Sequence, residues 1–226
     1  MKVELIEHTS QPDMLAAAAA RSCHSNKGAS EIQESEDEEE LKRVLRKTVE
    51  QGHTAVIEHA NFTFSIKGIS RACSHQLVRH RIASYSQQSQ RHIKPGEEKF
   101  VVPPSIKENS QALENFKEAL EKAWKTYEDL SENEDVPLED SRFLLPNATK
   151  TNIVVTMNAR SLMNFFELRT CMHSQWEIRA LANSMLNQVK KVAPTIFEDA
   201  GPPCKRREVC PEKDPDCELY KEYVET

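Results

Sequence analysis

Two short strand-like stretches limit the fold of this chain more than any other feature. From Asn61 to Ile69, the apolar residues Phe62, Phe64 and Ile66 recur at every second position. That is the pattern of a strand with one buried face. Thr151 to Met157 is β-branched and apolar, which reads as a buried strand. Each runs directly into a helical signal. Ser70 is placed to cap a helix from Arg71 to about Arg81, and Ala159 to Thr170 reads as a second helix. Val3 and Leu5 against Glu4 and Glu7 make Met1 to His8 a further strand, and Phe100 to Val102 reads as a short one before Pro103 and Pro104.

The remaining regular segments are helical. Pro12 to Cys23 is alanine-rich and has proline near its start, where proline is tolerated. Leu41, Val44, Leu45, Thr48 and Val49 fall at helical spacing, and Gly52 closes that helix. Leu113, Phe116, Leu120, Trp124 and Tyr127 line one side of a long helix from Ser105 to Leu130, and Gln175 to Val192 is another. Leu138 to Leu145 is short and stops at Pro146. The polar stretches Asn26 to Glu40 and Ile82 to His92 read as loops, the first ending in acids that suit a helix N-terminus. The expected class is α+β: a helix-rich domain with a small antiparallel or mixed sheet. With 226 residues there is room for one sizeable domain. Residues 1–198 are assigned to it, and 199–226 to a tail containing proline and cysteine.

Charge and apolar patterning exclude some classes of partner. The net charge is −6, which gives no bulk electrostatic case for nucleic acid. No apolar run approaches the ~20 residues of a membrane span. The alanine-rich Leu15 to Ala20 lacks a basic leader, so a cytoplasmic location is expected. Cys23, Cys73 and Cys171 are expected to behave as small buried apolar residues. Cys204, Cys210 and Cys217 lack the paired spacing of zinc modules, so the tail is expected to be reduced and exposed, with no metal.

Arginine is concentrated locally. Arg71, Arg79, Arg81 and Arg91 crowd one segment, and Arg142, Arg160 and Arg169 another. These are either surface ion pairs or sites for small anions. At about 100 degrees per residue, Gln76 and Arg79 share a helix face, whereas Arg79 and Arg81 point roughly 200 degrees apart. They then serve two anions or two subunits. The polar loop that follows offers hydroxyls, amides and Arg91, which suit a phosphate and a base edge. Arg160 and Asn164 share a face of the later helix, with Arg169 roughly opposite and Met163 and Phe166 in the core.

The segment from Arg79-His80-Arg81 through seven further residues to Ser89, followed by Arg91, resembles the signature of the flavin-dependent thymidylate synthases. Three further segments are similar to that family: Gly52-His53 with Glu58-His59 ahead of the Phe-rich strand, Asn158-Ala159-Arg160 through Asn164 to Leu168-Arg169, and His173-Ser174-Gln175-Trp176-Glu177. The similarity runs from about residue 1 to residue 198 and implies the thymidylate synthase-complementing protein-like fold.

The resemblance implies reductive methylation of dUMP to dTMP. In that reaction 5,10-methylenetetrahydrofolate is the carbon donor, and FAD reduced by NADPH is the hydride source. It implies a homotetramer whose active sites are shared between subunits. His53, Ala55, Glu58, Arg79, His80, Arg81, Gln87, Asn158, Ala159, Arg160 and Asn164 are expected to hold FAD. Gln76, Leu77, Val78, Arg79, Gln87, Gln88, Ser89, Gln90, Arg91, Arg142 and Arg169 are expected around dUMP. Arg91 and Arg142 are assigned to its phosphate, and Arg169, the catalytic residue, to the uracil edge. Ser89 is expected to position rather than attack, since no histidine base is assigned beside it. Many relatives carry Asn, Glu and Tyr where Ser86, Gln87 and His92 stand here. Gln87 keeps donor and acceptor capacity. Ala55 lacks the hydroxyl that many relatives have for a flavin phosphate.

Three competing readings go with this one. The scaffold is kept for binding FAD and a nucleotide without catalysis, the acids around Glu36 to Glu40 hold magnesium in a nucleotide hydrolase, or Cys204, Cys210 and Cys217 hold a metal in an interaction tail. Consecutive carboxylates do not share one helix face, which favours a solvated helix start over the hydrolase.

Overall fold

The period of two in the sequence becomes one buried sheet face. The computed structural model describes residues 1–94, 96 and 99–225. Strands β1 (Lys2–His8), β2 (Asn61–Ser70), β3 (Ser84–Gln87) and β4 (Lys150–Asn158) form a small antiparallel sheet in the order β1-β2-β4-β3. Phe62, Phe64 and Ile66 of β2 are buried, as are Thr151, Ile153, Val155 and Met157 of β4. Successive side chains on a strand point to opposite faces, so one face carries the core. The helices are α1 (Pro12–Ser22), α2 (Ala29–Ser35), α3 (Glu38–Glu50), α4 (Arg71–Leu77), α5 (Pro104–Lys107), α6 (Ser110–Glu128), α7 (Leu138–Ser141), α8 (Ala159–Arg169), α9 (Trp176–Val192), α10 (Pro203–Arg207) and α11 (Glu218–Tyr223). The α+β reading holds. None of these helices is long and apolar enough to cross a membrane.

The chain divides into two compact units. One comprises Met1–Lys2, Ile66–Arg79 and Ser86–Ile153; the other comprises Val3–Ser65, His80–Tyr85 and Val154–Thr226. In the first, α6 packs on α5 and on the 3₁₀ turn Arg142–Leu144. Trp124 is the centre of its aromatic contacts, with Phe100 edge-on at 6.1 Å and Lys99 Nζ 3.9 Å from the ring centroid.

In the second unit, α1 packs on α2, α3 and the 3₁₀ turn Thr54–His59, and α8 packs on that turn and on α9. Gly52, at φ +82°, ends the run after α3 in the left-handed region that glycine adopts without steric cost. Asp13, buried at the start of α1, accepts the backbone N–H of Thr195 at 2.8 Å and of Ile196 at 3.0 Å. Phe197 then lies edge-on to Phe62 at 5.4 Å and to Phe166 at 5.8 Å.

Several expectations are corrected. Helix α4 stops at Leu77, where the Arg79 N–H turns back to the Gln76 carbonyl at 3.4 Å. Arg79 and Arg81 therefore leave the helix, and the angular argument for them does not apply. Strand β3 lies inside the stretch read as a loop, and α2 inside Asn26 to Glu40. The long helix from Ser105 is two, broken at Glu108 and Asn109, where the Asn109 side chain caps α6 by accepting the Ala112 N–H. Phe100 makes a single bridge to Thr149 rather than a strand. Cys23 is exposed and Cys171 only half-buried, whereas Cys204, expected in an exposed tail, is buried.

Candidate functional site

In the first unit, several of the polar groups expected around a nucleotide are already tied together. At the end of β3, Gln87 Nε2 donates to Ser74 Oγ at 3.0 Å and to Thr151 Oγ1 at 3.3 Å. The Gln88 N–H donates to the Asn152 carbonyl at 2.9 Å. Ser89 Oγ accepts the Arg91 N–H at 3.2 Å, so Ser89 shapes the turn that presents Arg91. Arg91 reaches Glu139 of α7 through Nε at 2.9 Å and its terminal nitrogen at 2.6 Å. The same Glu139 offers its carbonyl to Arg142 Nε at 3.0 Å.

Arg71, at the start of α4, is a third cation in this group. Burial and then the Arg142 charge push its pKa down. Arg71, Arg91 and Arg142 thus bring three guanidiniums to the neighbourhood of Glu139, a local concentration of positive charge. Arg71 is one of the arginines crowded in the sequence, but the sequence alone does not place it beside Arg142. Nothing in local spacing links it to Arg142 or Glu139, which lie far along the chain. Leu77 is fully buried, so its side chain belongs to the core, while Val78 and Arg79 are exposed.

In the second unit, Arg160 of α8 is paired with Glu58 of the Thr54–His59 turn at 2.5 Å. Asn158 caps α8 by accepting the Ser161 N–H at 2.9 Å, and the buried Ala159 donates its N–H to the Ala60 carbonyl at 2.8 Å. These bonds fix the helix start from which Arg160 and Asn164 project, one turn apart, into the same cavity of about 650 Å³. Val49, Ile57, Met163 and Ile196 give that cavity apolar walls, and the cations Arg46, Arg206 and Arg207 line it beside the carboxylates Glu50, Glu198 and Asp199. A second cavity of about 380 Å³ is lined by Glu58, Ile82, Asn158, Arg160 and Ser161. Arg160 lines both. His53, Ala55 and Arg81 are exposed and line neither. Met163 and Phe166 are buried, as expected.

At the far end of α8, Arg169 Nε donates to His80 Nε2 at 3.1 Å. Burial, and secondarily the Arg169 charge, push the His80 pKa down to about 4. Its ring meets Phe165 edge-on at 4.9 Å, and its carbonyl accepts the Tyr85 hydroxyl at 2.9 Å. Burial pushes the Tyr85 pKa up to about 12, so that hydroxyl stays a donor.

The acidic start of α3 is accounted for locally. Asp37 caps the helix, Glu38 and Glu39 hold Lys42 at 2.7 and 3.0 Å, and Glu40 holds Arg43 at 2.7 Å. Among the described residues, no three His, Cys, Asp or Glu side chains are grouped to hold a metal ion.

Comparison with known proteins gives one consistent family. The family described as "Thymidylate synthase complementing protein" matches residues 4–195. A protein of Geobacter sulfurreducens named flavin-dependent thymidylate synthase is 51% identical, over 90% of this chain and 88% of its own length. Proteins of the same name from Clostridium tetani and Pyrococcus furiosus are 43% and 42% identical, over 99% and 95% of this chain and 97% and 91% of their own lengths. Since the match takes in β2, α4, β4 and α8 together with the arginines they carry, the chain belongs to the thymidylate synthase complementing protein family.

Proposed function

We propose that this chain is a flavin-dependent thymidylate synthase that converts dUMP to dTMP, with 5,10-methylenetetrahydrofolate as carbon donor, NADPH as reductant and FAD as cofactor. The observation that carries the proposal is similarity along nine-tenths or more of the chain to proteins bearing that name. The two arginine groups suit the ligands. Arg91 and Arg142, both held by Glu139, bring two guanidinium charges to one place, which suits a phosphate. The cavities that share Arg160 combine apolar walls with cations and carboxylates; the apolar walls suit the rings of a cofactor that is aromatic at both ends, and the arginines its diphosphate.

In this reading FAD, when bound, supplies the hydride that completes the methyl group, and the chain supplies binding and electrostatics. Arg160 and Asn164 bind the cofactor, with Glu58 fixing the Arg160 guanidinium. Gln87, Gln88 and Ser89 orient the nucleotide. Arg169 lies at the uracil edge, where a fixed cation stabilises the negative charge that develops on the ring. Assembly as a homotetramer in the cytoplasm, with each site drawn from several chains, completes the proposal, so these groups need not meet within one chain.

The test is dTMP formation under anaerobic conditions from dUMP with FAD, NADPH and methylenetetrahydrofolate, against a control lacking NADPH. Product only in the presence of NADPH supports the proposal. FAD and dUMP binding without product overturns it in favour of a scaffold kept for binding alone.

A further inference from the structure

Arg71 opens α4, and the backbone stitches that end of the helix to the segment after Arg142. The Arg71 N–H donates to the Thr149 carbonyl at 3.0 Å, and the Ala72 N–H to the Asn147 carbonyl at 3.1 Å. The segment is closed by turns of its own, from the Leu145 N–H to the Arg142 carbonyl at 3.0 Å and from the Thr149 N–H to the Pro146 carbonyl at 2.9 Å. Main-chain bonds thus bring Arg71 close to Arg142, and both residues are half-buried.

Two guanidiniums so placed repel each other, and burial adds to the cost. A carboxylate beside Arg71 would offset both effects. Among the described residues none does so, and the one charge that acts on it is that of Arg142, of like sign. Glu139 is already engaged. Its carboxylate holds Arg91 at 2.6 and 2.9 Å, and it meets Arg142 through its backbone carbonyl. Arg71 and Arg142 therefore keep their charge without a carboxylate of this group. A phosphate monoester carries roughly −1.5 to −2 at pH 7 and three acceptor oxygens, enough to meet both.

We infer that Arg71 is a third ligand of the nucleotide 5′-phosphate, beside Arg91 and Arg142, and that the bound dianion supplies the negative charge Arg71 lacks in the protein. This rests on the proposed synthase reading, which puts a phosphate at Arg91 and Arg142. The role carries a cost for the fold, since the unliganded protein holds a half-buried cation against another. Removing the charge should relieve the fold and weaken binding, two effects of opposite sign. A structural arginine would lose stability instead.

Methionine keeps an unbranched apolar stem and removes the charge. In Arg71→Met the Kd for dUMP, read by calorimetry on FAD-loaded protein, should rise about tenfold or more, the effect of one lost charge-assisted hydrogen bond. Arg71→Lys keeps the charge but not the fork, and should lie between parent and methionine variant. Deoxyuridine should bind all three alike, and inorganic phosphate should bind Arg71→Met more weakly than the parent. The urea midpoint of ligand-free Arg71→Met should equal or exceed that of the parent. Unchanged dUMP affinity in Arg71→Met, a loss shared equally by deoxyuridine, or a urea midpoint lowered in step with the affinity would each overturn the inference. A protein that binds inorganic phosphate through Arg71 but neither binds dUMP nor makes dTMP would overturn the synthase reading and leave the phosphate site standing.

Discussion

Glu139 joins two arginines that lie about fifty positions apart in sequence, holding Arg91 through its carboxylate and Arg142 through its carbonyl. An exposed ion pair of this kind adds little to stability, but it restricts where two guanidiniums can point. Arg91→Ala and Arg142→Ala should each weaken dUMP binding by about 10- to 100-fold, the cost of a charge-assisted hydrogen bond of roughly 1.5–3 kcal/mol. Neither should change binding of deoxyuridine, which has no phosphate, and calorimetry with both ligands separates the two cases.

His80 makes a prediction about pH. Its folded pKa lies below its unfolded value of about 6.5, so the unfolded chain takes up a proton first as pH falls. The contribution of His80 to stability is therefore full above pH 6.5 and is lost between pH 6.5 and about 4. Urea unfolding across that window should show a slope that His80→Gln removes; an unchanged slope would mean that the ring titrates alike in the folded and unfolded chain.

Helices and strands differ in how openly the sequence announces them. Strand β2 is legible because one face is apolar at every second position, and β4 because it is β-branched and apolar. The core stripe of α8 and its Arg160–Asn164 pair are legible for the same reason at helical spacing. Strand β3 is hidden, because Ser84, Tyr85, Ser86 and Gln87 carry no apolar alternation. It lies at the edge of the sheet and is held by backbone pairing to β4. The early end of α4 is hidden as well, since no glycine or proline marks it.

The tail illustrates the limit of local pattern. Its prolines suggested an exposed segment, yet Arg206 and Arg207 bond Glu167 of α8 at 2.7 and 2.9 Å and Cys204 is buried. Such docking depends on partners distant in sequence. Asp13 does the same for the chain after α9. Asp13→Ala leaves two buried N–H groups unpaired, and should cost about 3 kcal/mol. A lower urea midpoint at an unchanged m-value checks it, and a shift of only a few tenths of a kcal/mol would contradict the account.

Taken whole, the chain has net charge −6 yet gathers arginines locally, around Glu139 and around the cavity that Arg160 lines. If each site draws on several chains, mass measurement in solution should give a species of four chains, and dilution to monomer should abolish activity together with dUMP binding. The most direct test of the central claim is the identity of the folate left after dTMP is made. A flavin hydride completes the methyl group without oxidising the folate ring, so the account predicts one tetrahydrofolate per dTMP. Dihydrofolate in that amount would mean that the hydride came from the folate, and would contradict a flavin-dependent synthase.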